Sequence, residues 1–175
     1  MPTSRRGEIG HFTVDRGPDA LPCRCERSGC LETLASIDAL AKARSEACGF
    51  GDKADFEAAA LSGDEAAVSL LHRAAEQVGT VLALAVLVAD PGEVVLAGEV
   101  PHLLPDFTER VQAAMLPGVL ASQNIPVRRA QLGDEAGALG GVVALMAQRQ
   151  ASQPMKESPL SPSRLVVTGA PRVGY

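Results

Sequence analysis

The sequence predicts an α/β protein whose first thirty residues form a metal-holding loop. Three observations carry this. Cys23, Cys25 and Cys30 crowd into one short segment, and apolar residues recur at helical spacing through residues 31–48 and 62–90. Third, Glu93–Gly98 (EVVLAG) is a short continuous apolar run that follows the turn Pro91-Gly92. Such a run reads as a strand buried on both faces of a parallel sheet. The 175 residues, 46% of them hydrophobic, suffice for one domain with its own core and no disulfide staples.

Residues 1–30 carry little periodic apolar pattern; Gly7, Gly10, Gly17 and three prolines mark them as loop. From Leu31 a helix is expected: Leu31, Leu34, Ala35, Ile37 and Leu40 share one face, and the pattern continues to Cys48. Asp55–Leu61 reads as a short helix between Gly51 and Ser62. Ser62-Gly63-Asp64-Glu65 has the form of a capping box ahead of a long helix buried through Val68, Leu71, Ala75, Val78, Leu82 and Ala85. After the strand at 93–98, Leu103–Leu116 reads as a helix between Pro101 and Pro117, and Pro126–Gln131 as a second strand.

Gly133-Asp134 then opens a helix from Glu135 to about Gln150, where Gly137, Gly140, Gly141 and Ala144 leave one side bare for a backbone or a ligand. Together, 31–150 reads as one α/β lobe. Beyond it the composition turns to Ser, Pro and Gln, so 151–175 is expected to be disordered, with Leu165-Val166-Val167 a weak strand candidate.

Three clustered thiols leave one unpaired in any disulfide scheme, and soft ligands in one loop suit a soft metal. His11 completes a Cys3His set, His-x11-Cys-x-Cys-x4-Cys, with the balance of a structural zinc site and no open position for water. The alternative is a group of reduced thiols with no ligand. Cys48 stands apart and is expected to pack as a small hydrophobe near the end of its helix.

The net charge of −5, from 16 basic and 21 acidic residues, offers no basic footprint for nucleic acid. The first ten residues have no apolar core of a signal peptide, and the longest apolar run, Val81–Ala89, is shorter than the ~20 residues a bilayer span needs. A cytoplasmic protein without a membrane partner is the expectation.

Gly7-Glu8-Ile9-Gly10-His11, followed by Cys23-x-Cys25-x4-Cys30-Leu31-Glu32, resembles the signature of the ROK family, which groups sugar repressors and sugar kinases. DPGEVVLAGEV and LGDEAGALGGVVAL resemble that family's late strand-turn and final helix, so the likeness covers roughly residues 7–147. It implies the carboxyl-terminal lobe of an actin-like (ribonuclease H-like) ATPase fold, with the zinc loop and a helical subdomain. It implies zinc ligation by His11, Cys23, Cys25 and Cys30, and a sugar site of Glu8, His11 and Glu32. It also places Gly98 at the nucleotide-facing turn, where Ala97-Gly98 replaces the more usual pair of glycines. Glu26 stands where the family usually has glycine.

The kinases of this family carry an Asp-x-Gly-x-Thr phosphate loop and an Asn-Asp base segment, neither of which occurs here. Phosphoryl transfer rests on positioning and on stabilising the phosphates. Catalysis by this chain alone is therefore not expected, and ATP would be bound only by a complete kinase parent. The first expectation is the sugar-sensing lobe of a transcriptional regulator, because Gly98-Glu99-Val100 leans that way. Without a helix-turn-helix it would not bind operator DNA alone. The second is the carboxyl-terminal part of a hexose or N-acetylhexosamine kinase. A third is a mis-started frame with a poorly folded product. The small-molecule partner in the first two is a sugar, and family likeness implies a homodimer.

Overall fold

The computed structural model describes residues 7–49, 51–121, 124–131 and 164–168. Five helices and three strands are built from these: α1 (Glu32–Ala35), α2 (Ile37–Cys48), α3 (Lys53–Leu61), α4 (Glu65–Ala89), β1 (Glu93–Ala97), α5 (Phe107–Met115), β2 (Val127–Arg129) and β3 (Arg164–Thr168). The expected helix over 135–150, with its glycine face, lies outside the described residues.

The single helix expected over 31–48 is divided at Ser36, whose extended backbone (φ −77°, ψ 151°) ends α1 and starts α2. The Ser36 hydroxyl accepts the amide of Ala39 at 3.3 Å, an N-cap that competes with continuing the helix. At the other end Gly49, in the left-handed region at φ +83°, returns its amide to the Ser45 carbonyl. Cys48 proves exposed instead of packed as a small core hydrophobe.

The reading of Ser62–Glu65 as a capping box is also corrected. Ser62 keeps helical backbone and closes α3, its hydroxyl donating to the Ala59 carbonyl. Gly63 turns the chain at φ +80°, and Asp64 is the N-cap, accepting the amide of Ala67 at 3.0 Å. A reciprocal box is found one helix earlier, between Asp52 and Asp55. Arg44 Nε on α2 reaches Asp64 Oδ1 at 3.3 Å, and the Asp64 carboxyl is held below its usual range, first by the Ala67 amide and then by Arg44.

The core gathers around α4. Leu71, Ala75 and Leu82 are buried as expected, joined by Ala67, Ala74, Gly79, Ala83 and Val86, while Val68 and Val78 are half-buried against the same cluster. Small residues let the helices approach closely. A Cβ on Gly79 would stand 2.4 Å from the Val111 carbonyl of α5, and one on Gly118 would stand 2.5 Å from Ala83. By length and hydropathy α4 could cross a membrane, yet its apolar side is the core of this fold, packed on Phe107, Val111 and Met115 of α5 and on Leu40 of α2.

The strands form a parallel sheet in the order β2-β1-β3. Val94 pairs with Val127 on one side and with Leu165 on the other, and Val94 and Leu96 are buried. β1 is therefore the parallel strand its apolar run predicts, but it is buried on one face only: Val94 and Leu96 are buried while Glu93, Val95 and Ala97 are half-buried. β3 corrects the expectation of disorder for these five residues: the weak Leu165–Val167 signal is a strand, ordered by backbone pairing with β1 and not by local composition.

Candidate metal and sugar site

Residues 7–31 fold around their own turns. A 3-10 turn at Ile9–His11 is closed by Phe12 N to Ile9 O at 2.9 Å. Residues three apart in such a turn are stacked, so Glu8 and His11 project to the same side. Cys23–Arg27 is a second tight turn, with Cys23 N to Arg27 O at 2.7 Å and Glu26 N to Cys23 O at 3.0 Å. Glu26 takes the left-handed conformation there, φ +69°. Thr13 bridges Cys30, and Leu31 N donates to Phe12 O at 2.9 Å, which lays the cysteine loop beside the histidine turn.

The result brings together one donor atom each from His11, Cys23, Cys25 and Cys30, all within 4.8 Å of one another. Cys25 Sγ lies 3.5 Å from Cys30 Sγ, and Cys23 Sγ lies 3.5 Å from His11 Nδ1. Tetrahedral zinc, with Zn–S near 2.3 Å and Zn–N near 2.0 Å, requires S···S and S···N separations of about 3.8 and 3.6 Å. The donor set and its spacing therefore fit a closed four-ligand metal site.

The loop's charges suit thiolates. The Cys25 thiol is pulled down to about 6 by the Arg27 backbone amide and then by the Arg27 guanidinium. Arg27 also donates to the His11 carbonyl at 2.7 Å, stitching the two turns together. Burial pushes the Cys30 thiol up to about 12, helped by its two cysteine neighbours. One ligand is thus ready as an anion at neutral pH, and the buried one gives up a proton when a cation arrives.

Both motif carboxylates flank the His11 ring. Glu8 Oε2 is 3.9 Å from Nε2, and Glu32 Oε2 is 3.7 Å from Nδ1. Nδ1 is the nitrogen turned toward Cys23, which leaves Nε2 on the Glu8 side. Glu32 opens α1, immediately after Cys30 and Leu31, so the cysteine loop fixes where its side chain starts. Arg24, between the first two cysteines, is a residue that sequence reasoning misses: its Nε and Nη2 reach the two Glu32 oxygens at 2.7 and 3.1 Å. Gly98 does not join this cluster. It follows β1 at φ +101°, and its neighbour Glu99 is ion-paired with Lys53 of α3.

The ROK family model matches residues 4–149, and the chain belongs to the ROK family. It is 31% identical to a glucokinase of Halalkalibacterium halodurans, over 77% of this chain and 46% of that protein. It is 33% identical to an N-acetylmannosamine kinase of Yersinia pestis, over 78% and 46%. Among solved structures, the ROK hexokinase of Thermus thermophilus superposes with a TM-score of 0.67 at 35% identity, covering 82% of this chain and 49% of that one. A ROK family transcriptional regulator, homologous to the E. coli MLC protein, gives 0.64 at 25% identity, covering 81% and 39%. The chain spans about half the length of the curated relatives it matches.

Proposed function

We propose that this chain is the metal-braced, sugar-binding portion of a ROK-family protein acting on a hexose or N-acetylhexosamine. The observation that carries the reading is the placement of Glu8 and Glu32 against the His11 imidazole, Glu8 beside Nε2 and Glu32 beside Nδ1, the nitrogen that also faces Cys23. His11 Nδ1 and the sulfurs of Cys23, Cys25 and Cys30 would hold zinc, which would brace the loop as a structural ion. A ring held in this way could not turn, and its Nε2–H would serve as a donor for a sugar oxygen. Glu8 and Glu32 accept hydrogen bonds from sugar hydroxyls on either side, and a carboxylate is the strongest acceptor a protein has for a diol.

In a kinase parent, the Gly98 turn would face the nucleotide and the remainder of the protein would supply the phosphate loop and base. The identities of 31% to the glucokinase and 33% to the N-acetylmannosamine kinase favour this parent. A regulator parent is the second reading, favoured by the ROK family transcriptional regulator that superposes at a TM-score of 0.64 and 25% identity.

Titration calorimetry with glucose and with N-acetylmannosamine tests the sugar reading. Binding of either sugar, abolished by Glu8→Ala and by Glu32→Ala with zinc content unchanged, is the expected result. Unaltered binding in both variants would overturn it. A parallel titration with ATP bears on the parent: binding that Gly98→Val removes supports the kinase.

A further inference from the structure

We propose that Arg24 is a positioning residue for the sugar site: its guanidinium fixes the plane of the Glu32 carboxylate and so sets the strength of sugar binding. This rests on the reading of Glu32 as a sugar-contacting carboxylate.

The geometry has three parts. Arg24 meets both Glu32 oxygens, Nε to Oε1 at 2.7 Å and Nη2 to Oε2 at 3.1 Å, the fork-to-fork arrangement that only an arginine provides. Glu32 Oε2 is also 3.7 Å from His11 Nδ1, so the carboxylate is held between the guanidinium and the imidazole. Gly10 lies on a further side, where an added Cβ would stand 3.8 Å from Oε2; the glycine keeps that oxygen uncovered. A glutamate at the start of a one-turn helix has free rotation about its side-chain bonds unless something holds it. Arg24 is what holds it.

The pair does little for the fold. The Arg24 side chain is 60% exposed and that of Glu32 is 27% exposed, and an ion pair so open to water is screened and adds little stability. Each carboxylate oxygen has two lone pairs, and the fork uses one on each, leaving the other for a sugar hydroxyl. Arg24 therefore orients Glu32 without occupying it. The same arginine sits between Cys23 and Cys25, so the cysteine loop is tied to the sugar carboxylate by a side chain as well as through the backbone from Cys30.

The test is calorimetry of zinc-loaded full chain with glucose and N-acetylmannosamine, with melting temperature and zinc content measured on every variant. Arg24→Ala is expected to weaken sugar binding about tenfold while leaving zinc content unchanged and moving the melting temperature by no more than about 2 °C. Arg24→Lys restores charge but not the fork, and is expected to recover only part of the loss. In a Glu32→Gln background, Arg24→Ala is expected to add no further loss. Wild-type binding that Glu32→Gln weakens but Arg24→Ala and Arg24→Lys leave intact overturns the role of Arg24 and leaves the sugar site standing. Lost binding in Arg24→Ala accompanied by lost zinc or a collapsed melt in both Arg24 variants makes the residue structural and overturns it too. Absence of sugar binding by the wild type overturns both readings together.

Discussion

Gly29 presses its α-carbon against the carbonyl of Asp15: a Cβ at residue 29 would stand 1.8 Å from Asp15 O, and the backbone there is left-handed at φ +69°. The amides of Val14 and Asp15 both donate to the Gly29 carbonyl, at 2.8 and 3.0 Å. This contact is where the histidine turn and the cysteine loop are locked together. Gly29→Ala is expected to cost ~3 kcal/mol or more, combining left-handed strain with a backbone clash. Zinc stoichiometry by elemental analysis should fall well below one per chain, and a fully loaded variant with an unchanged melt would contradict the argument.

Glu26 is the opposite case, a side chain where the backbone asks for none. Its φ of +69° costs a non-glycine residue about 1 kcal/mol, partly offset by the greater freedom glycine has when unfolded. Glu26→Gly is expected to stabilise the zinc-loaded chain by roughly 0.5 kcal/mol. Urea denaturation at matched zinc concentration measures this, and a lower midpoint would refute it.

Metal-free protein should show the two shifted thiols in its pH dependence. Cys25, lowered to about 6, is deprotonated in the folded chain while the unfolded chain still holds its proton up to about 9. Its contribution is fully present above about 9 and is lost as the pH falls through 6. Cys30, raised to about 12, does the reverse: its contribution is present below about 9 and is lost as the pH rises towards 12. The stability owed to these two thiols therefore peaks near pH 9. Mass spectrometry after brief iodoacetamide treatment at pH 7 should find Cys25 alkylated before Cys23 and Cys30, and zinc should suppress the labelling. Equal labelling of all three would count against the loop geometry.

Chelation offers a coarser check on the same loop. EDTA is expected to lower the melting temperature, because the loop's own apolar content is small and its order rests on the ligand set. A melt indifferent to chelator, with no zinc by elemental analysis, would remove the metal site from the account.

The tight crossing of α4 and α5 gives a prediction far from the site. Gly79→Ala places a methyl group 2.4 Å from the Val111 carbonyl and 2.7 Å from Ala114 Cβ, both on a helix that cannot yield locally. Despite alanine's better helix propensity, a loss of about 1–3 kcal/mol is expected. Thermal unfolding decides the sign.

The donor cluster is legible in the sequence because its residues are close along the chain and their chemistry is shared. Cys23, Cys25, Cys30 and His11 need only one loop to meet, and the separation of Glu8 from His11 matches one 3-10 turn. Arg24 carries no such signal, since one arginine between two cysteines looks like any solvated cation until its distance to Glu32 is measured. The division of the first helix at Ser36 is visible only as a capping residue competing with an unbroken apolar stripe. Ser62 illustrates the converse, a capping pattern overridden because Gly63 takes the turn. β3 is hidden most deeply. Its Ser/Pro-rich surroundings suggest no order, and what orders it is a partner strand far away in the sequence.

That last pairing bears on how the chain is made. Nearly seventy residues separate the end of β1 at Ala97 from the start of β3 at Arg164, whereas β2 follows β1 after one helix. At a ribosomal pace of ~5–20 residues per second, β1 spends roughly 3–14 s with the edge that β3 will occupy still open. An apolar strand with an unsatisfied edge is a template for other chains. Chaperone demand during synthesis should therefore concentrate in this interval and end when β3 emerges.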